Sequence, residues 1–123
     1  MPSRVFVFSK TKTATFRVYE IETSGLSIEE KRLQGLAELL FADPVAEHYA
    51  FDGAEAGPSV IVWFKKGVYD AEGDMALYAA KRLGLDEGIE RVHFGRGFKK
   101  PAKALLKVQE LYNPLIETVE KIS

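Results

Sequence analysis

Two histidines, His48 and His93, are the only imidazoles in the chain, and there is no cysteine. Either ring could act as a base or ligand near neutral pH. A three-ligand metal site or a catalytic triad needs more partners than two histidines with unrelated neighbours supply, so both read as structural. Asp70, Glu72 and Asp74 form an acidic cluster that could attract a cation. Between Gly67 and Gly73, however, they fit a turn followed by a helix start, where carboxylates favour the positive end of the helix dipole. One basic stretch, Gly95-Arg96-Gly97-Phe98-Lys99-Lys100 with Arg91 and Lys103 nearby, interleaves cations with an aromatic ring and could grip phosphate or stack single-stranded bases. It lacks the residue order of an RNA-recognition strand, and a glycine-rich hairpin edge is the expected use.

The elements that must position these residues belong to one domain, because 123 residues sit close to the ~150 typical of a domain. Absence of cysteine removes thiolate zinc sites, redox dithiols, cysteine nucleophiles and disulfides. Seventeen basic and eighteen acidic residues leave a net charge of -1, which gives no global field for nucleic acid or an anionic membrane. The longest apolar runs, Val5 to Phe8 and Val60 to Phe64, are far short of the ~18 residues of a membrane helix. The expectation is a soluble cytoplasmic protein with no cofactor, no nucleic-acid partner and no membrane contact.

Val5 to Phe8 reads as a strand buried on both faces. Thr15 to Ile21 alternates, with Phe16 and Val18 on one face and Arg17, Tyr19 and Ile21 on the other. Apolar groups on both faces, together with Tyr49 and Phe51, predict a packing partner. Ser27 and Glu30 have capping-box spacing, so a helix is expected to start there, with Ile28, Leu33, Leu36 and Leu40 on its inner side, and to end at Asp43-Pro44. Val45 to Phe51 is a short strand, and residues 53–58 are a Gly- and Pro-containing linker. Ser59 to Phe64 is a second apolar strand in which Trp63 packs on the sheet. Asp70 caps a helix whose apolar positions Ala71, Met75, Tyr78, Ala79 and Leu83 are expected to face the core, with Gly84 as its stop. Ile89 to Phe94 is a strand with one polar face. Pro101 opens a further helix ending at Asn113-Pro114, and Leu115 to Ile122 is the last strand.

The two halves repeat. A leucine-rich helix runs into Asp43-Pro44 with Glu47 behind it, and again into Asn113-Pro114 with Glu117 behind it, the prolines being 70 positions apart (114 minus 44). Each half carries two strands, a helix, an Asx-Pro stop and a returning strand.

From residue 59 to 123 the chain resembles the PurS family, the small non-catalytic subunit of phosphoribosylformylglycinamidine synthase. The residues that carry this are Gly67-Val68-Tyr69-Asp70-Ala71-Glu72-Gly73 for the family's G-V-x-D-x-x-G and a helix ending at Leu83-Gly84. Ile89-Glu90-Arg91-Val92-His93-Phe94-Gly95-Arg96-Gly97-Phe98 and Leu111-Tyr112-Asn113-Pro114-Leu115-Ile116-Glu117 complete the match. The first half is similar more loosely, through Leu39 to Tyr49, with no G-V-x-D-x-x-G between its first two strands. The arrangement resembles the amino-terminal region of single-chain synthases, where two PurS-like units are fused.

The resemblance implies an α+β fold of two PurS-like, ferredoxin-like half-units, 1–52 and 59–123, with antiparallel sheets covered by about three helices. It also implies a bridging role in de novo purine biosynthesis. The unit would join a PurL-like, ATP-dependent synthetase part to a PurQ-like glutaminase part for assembly and ammonia transfer, without catalytic residues of its own. Gly67, Val68, Asp70, Gly73, Arg91, Gly95, Arg96, Phe98, Asn113, Pro114 and Glu117 are the motif and interface candidates. Self-association is a further partner expectation, and phosphate contact by the basic stretch at a subunit junction another. The alternative function is a small ferredoxin-like module that binds RNA or a phosphorylated ligand.

Overall fold

The computed structural model describes residues 3–11, 14–25, 28–99 and 112–122. Six strands, β1 (Ser3–Ser9), β2 (Thr15–Thr23), β3 (Glu47–Ala50), β4 (Ser59–Phe64), β5 (Ile89–Lys99) and β6 (Glu117–Ile122), form one antiparallel sheet. Its order is β3-β1-β2-β5-β4-β6, so β1, β2 and β3 stand to one side of the centre as β4, β5 and β6 stand to the other. The registers repeat the relation. Val7 lies opposite Arg17 and Tyr49, and Val62 lies opposite Arg96 and Val119. Arg17 and Arg96 face each other across the central β2·β5 pairing. The halves differ in their connections, since β1 passes to β2 through five residues whereas β4 reaches β5 through helix α2 (Ala71–Arg82).

One face of the sheet is covered by helices. Helix α1 (Glu30–Leu36) continues into a π-helical turn, Ala37–Phe41, and Leu33, Leu36 and Phe41 bury against Val5, Val7, Tyr19 and Ile21. Ile28 and Leu40 pack at the edge of this cluster, as the spacing predicts. Phe41 stacks on Tyr19 with ring centroids 4.4 Å apart. The partner expected for Tyr19, Ile21, Tyr49 and Phe51 is therefore the chain's own helical layer. Helix α1 has Glu29 at its N-cap without a side-chain bond; the expected cap, Ser27, lies outside the described residues.

The opposite face buries Phe6, Phe8, Phe16, Val18 and Ile61 with Ala56 from a short 3-10 turn, Ala54–Ala56. These side chains are shielded because the sheet curls over them. Arg4 on β1 and Glu120 on β6 are four strands apart, about 19 Å in a flat sheet, yet their side chains bond at 2.8 Å. Ile122 of β6 packs into the same cluster as Phe6 of β1. Glycines in β5 make room for this curl, since a Cβ at Gly97 would stand 2.2 Å from the Phe16 ring and one at Gly95 2.7 Å from Ile61.

Two expectations are corrected. Gly95 to Phe98 is not a hairpin edge but the interior of β5, paired with β2 and β4 on its two sides. Helix α2 turns the other way from the predicted stripe: Gly73 and Ala80 are buried with Ala76 and Leu77 behind them, while Met75, Tyr78 and Leu83 are exposed. The reason is proximity, because the helix lies so close to β5 that a Cβ at Gly73 would stand 2.1 Å from the Val92 carbonyl oxygen. Only small residues fit there. The described residues hold two of the three expected α-helices; the third, expected from Pro101, falls on residues 100–111, outside the described residues. Gly84 does end α2, with φ of 72° and the Leu85 amide donating back to Ala80, as a Schellman stop requires.

Candidate functional site

The Gly67–Gly73 motif joins β4 to α2 and ties both to β5. After β4, Val68 donates to the Lys65 carbonyl at 3.0 Å and Gly67 takes a φ of 89°, a conformation that favours glycine. Asp70 caps α2, accepting the Gly73 amide at 2.9 Å through Oδ1, while its Oδ2 accepts the Phe94 amide of β5 at 2.8 Å. Beyond the Trp63–Gly95 pair β5 has no β4 residue beside it, and the α2 N-terminus takes that place. Both carboxylate oxygens of Asp70 are thus engaged by backbone donors. Glu72 and Asp74 lie on the exposed side of the first turn. Among the described residues no group of three or more metal-ligating side chains is assembled.

The two Asx-Pro stops fold alike. Asp43 Oδ1 accepts the amides of Val45 at 2.8 Å and Ala46 at 3.3 Å, which holds its carboxyl below the ordinary aspartate value. Asn113 Oδ1 accepts the amide of Leu115 at 3.0 Å. In each stop the glutamate four residues on reaches back, Glu47 to the Asp43 amide at 2.9 Å and Glu117 to the Asn113 amide at 2.8 Å. Each glutamate is then met by the arginine from its own side of the centre: Arg17 donates to Glu47 at 2.6 Å and Arg96 to Glu117 at 2.7 Å. Arg17 also donates to the Phe41 carbonyl at 3.0 Å, closing the end of the π-helical turn. Pro44 and Pro114 leave a bare apolar tip behind them, Val45 at 81% and Leu115 at 82% exposure.

A cleft of about 1080 Å³ opens between α2, the β4–α2 turn and the mouth of the curled sheet. At its floor Arg4 forms a two-pronged pair with Glu120, at 2.8 and 2.9 Å, and a third bond to Glu20 at 3.1 Å. Trp63 donates its indole N–H to Glu120 at 2.9 Å, and the Arg4 guanidinium lies 5.2 Å from the Trp63 ring centre. Hydrogen bonding to Arg4 holds the Glu120 carboxyl below its ordinary value, and Glu120 raises Arg4 in turn. At the rim His93 bonds Glu22 at 2.9 Å, which lowers the Glu22 carboxyl. The other histidine, His48, stacks on Phe8 and bonds Glu55 at 2.5 Å. Among the described residues, each imidazole is paired to one carboxylate.

The structure divides the sequence candidates. Gly67, Val68, Asp70 and Arg91 come together along the cleft, with Gly73 bonded to Asp70 behind it, and Asn113, Pro114, Glu117 and Arg96 meet at the second stop. The basic stretch is not one surface. Alternation along β5 puts Arg91, Gly95 and Lys99 on the aromatic face and Arg96 and Phe98 on the helical face, with Lys99 5.5 Å from the Phe8 ring centre. Lys100 and Lys103 lie outside the described residues. The Arg4–Glu120–Trp63 cluster carries no motif, and its members are distant in sequence. The one hint of it is a lone tryptophan at the end of an apolar strand.

These features define a small α+β protein with a six-stranded antiparallel sheet. Among the described residues no helix is long and apolar enough to cross a membrane. In comparisons with known proteins the chain matches no family model and no curated protein.

Proposed function

We propose that this chain is a non-catalytic, PurS-like subunit or amino-terminal domain of phosphoribosylformylglycinamidine synthase. Its two ferredoxin-like half-units, 1–52 and 59–123, would stand in for a pair of PurS units. They would bridge a PurL-like synthetase part and a PurQ-like glutaminase part in the cytoplasm, serving assembly and ammonia transfer. The observation that carries the reading is the matched pair of stops, Asp43–Glu47 with Arg17 and Asn113–Glu117 with Arg96, set on either side of the β2·β5 pairing. A doubled unit fused through its central strands is what a one-chain substitute for a dimer needs. The roles found for the recognisable motif agree with a scaffold: Gly67, Asp70 and Gly73 shape the chain, and Arg96 and Glu117 brace it. Size-exclusion chromatography of the chain mixed with its cognate synthetase and glutaminase parts tests the reading. Co-elution of all three is expected, and separate elution at micromolar concentrations would sink it.

A further inference from the structure

Helix α2 packs Leu77 on the core but keeps Met75 and Tyr78 out of it. Met75 is 68% and Tyr78 63% exposed, and with Ala71 and Arg82 they follow one another at intervals of four, three and four. That spacing is the seam of a coiled-coil helix, the line along which a second helix lies. Arg82 extends the seam by lying over the Tyr78 ring, 5.9 Å from its centre. Among the described residues only the second half has a helix between its first two strands, so among them this seam has no counterpart.

The pattern around the seam identifies what fits it. Reversed end to end about a point between residues 76 and 77, Met75 exchanges places with Tyr78, Ala71 with Arg82 and Glu72 with Lys81. The seam is therefore complementary to itself in the antiparallel sense. Charge agrees, since the first turn carries Glu72 and Asp74 and the last turn Lys81 and Arg82, all exposed. Antiparallel pairing sets the acidic turn of one copy beside the basic turn of the other and opposes the two helix dipoles. Parallel pairing would set like against like. We infer that this face is where a second copy of the chain docks, α2 against α2 about a two-fold axis between Met75 and Tyr78.

A helix of 12 residues is about 18 Å long, too short to bury the roughly 800 Å² per partner of a standard stable interface. The dimer is therefore weak and reversible, with half-association on the order of 100 µM. The inference stands apart from the synthase reading, because it concerns the chain alone.

Sedimentation equilibrium of the full chain across about 10 µM to 1 mM reads it directly. The mass is expected to climb from monomer towards dimer. Met75→Glu, at an exposed position, should keep the far-UV spectrum and raise the half-association concentration at least ~10-fold, because it sets a charge against Tyr78 of the other copy. Asp74→Lys should weaken association, and adding Lys81→Asp should recover most of it. A chain that stays monomeric to 1 mM overturns the inference. So does a dimer indifferent to Met75→Glu, or a charge exchange in which the second substitution restores nothing.

Discussion

On the helical face of the sheet, Val5, Val7 and Ile21 lie beneath Leu33, Leu36 and Phe41, an aliphatic core roofed by separate elements. On the other face Phe6, Phe8 and Phe16 are buried with no α-helix among the described residues over them. The sheet itself curls until β1 and β6 meet, and the Arg4–Glu120 pair fastens the mouth. The first kind of closure depends on the volume of the covering side chains. The second depends on side chains that are missing, the glycines of β5, and on polar bonds between distant strands. One set of strands thus serves two cores with different weak points.

The comparison can be broken most severely at Gly97. Valine there would drive a Cβ into Phe16, which is only 4% exposed, and is expected to cost about 3 kcal/mol or more in denaturant titrations. Unchanged stability would mean that the curl has slack. Leu36→Ala removes the centre of the helical roof, and a loss of about 3 kcal/mol is expected. Emission of Trp63, which sits at the mouth of the other face, should be unaltered in the folded variant. Asp70→Ala removes both the α2 cap and the acceptor for Phe94, for a loss of about 2 kcal/mol.

Arg4→Met unfastens the mouth. A loss of about 1 kcal/mol is expected for this partly exposed cluster, with a change in Trp63 emission and none in the far-UV spectrum. Acid acts on the same cluster through Glu120. Its folded carboxyl lies below the ordinary value, so its contribution is complete above the unfolded carboxyl's range and fades as pH falls through the lowered folded value. Arg4→Met should therefore flatten the acid limb of a stability–pH curve, and an unchanged limb would assign acid sensitivity elsewhere. The smallest effect is expected at Ser59, fully buried with a hydroxyl that has no hydrogen-bond partner among the described residues. Ser59→Ala should be neutral or stabilise by up to about 1 kcal/mol.

The strands were legible because Val5 to Phe8 and Val60 to Phe64 are β-branched and aromatic runs that suit few other uses. The Asx-Pro stops were legible because proline and a side-chain acceptor end helices by local geometry. Helix α2 was misread for a physical reason. Periodicity weights large apolar residues, whereas close approach to the Val92 carbonyl selects Gly73, Ala76 and Ala80 for the buried side. The glycines of β5 were misread because glycine signals a turn unless a neighbouring ring needs its space, and Phe16 lies on another strand 81 positions away (97 minus 16). Their spacing of two, which sets both on one face, is the signal that could have shown it. Nothing local announces the Arg4–Glu120 fastening, since 116 residues separate its partners.

The bridging role is tested most directly by the activity of the cognate synthetase and glutaminase parts, measured with glutamine and with free ammonia as nitrogen donor, with and without this chain. A bridge raises the glutamine-dependent rate at least ~10-fold and leaves the ammonia-dependent rate nearly unchanged. Equal glutamine-dependent rates with and without the chain would contradict the account.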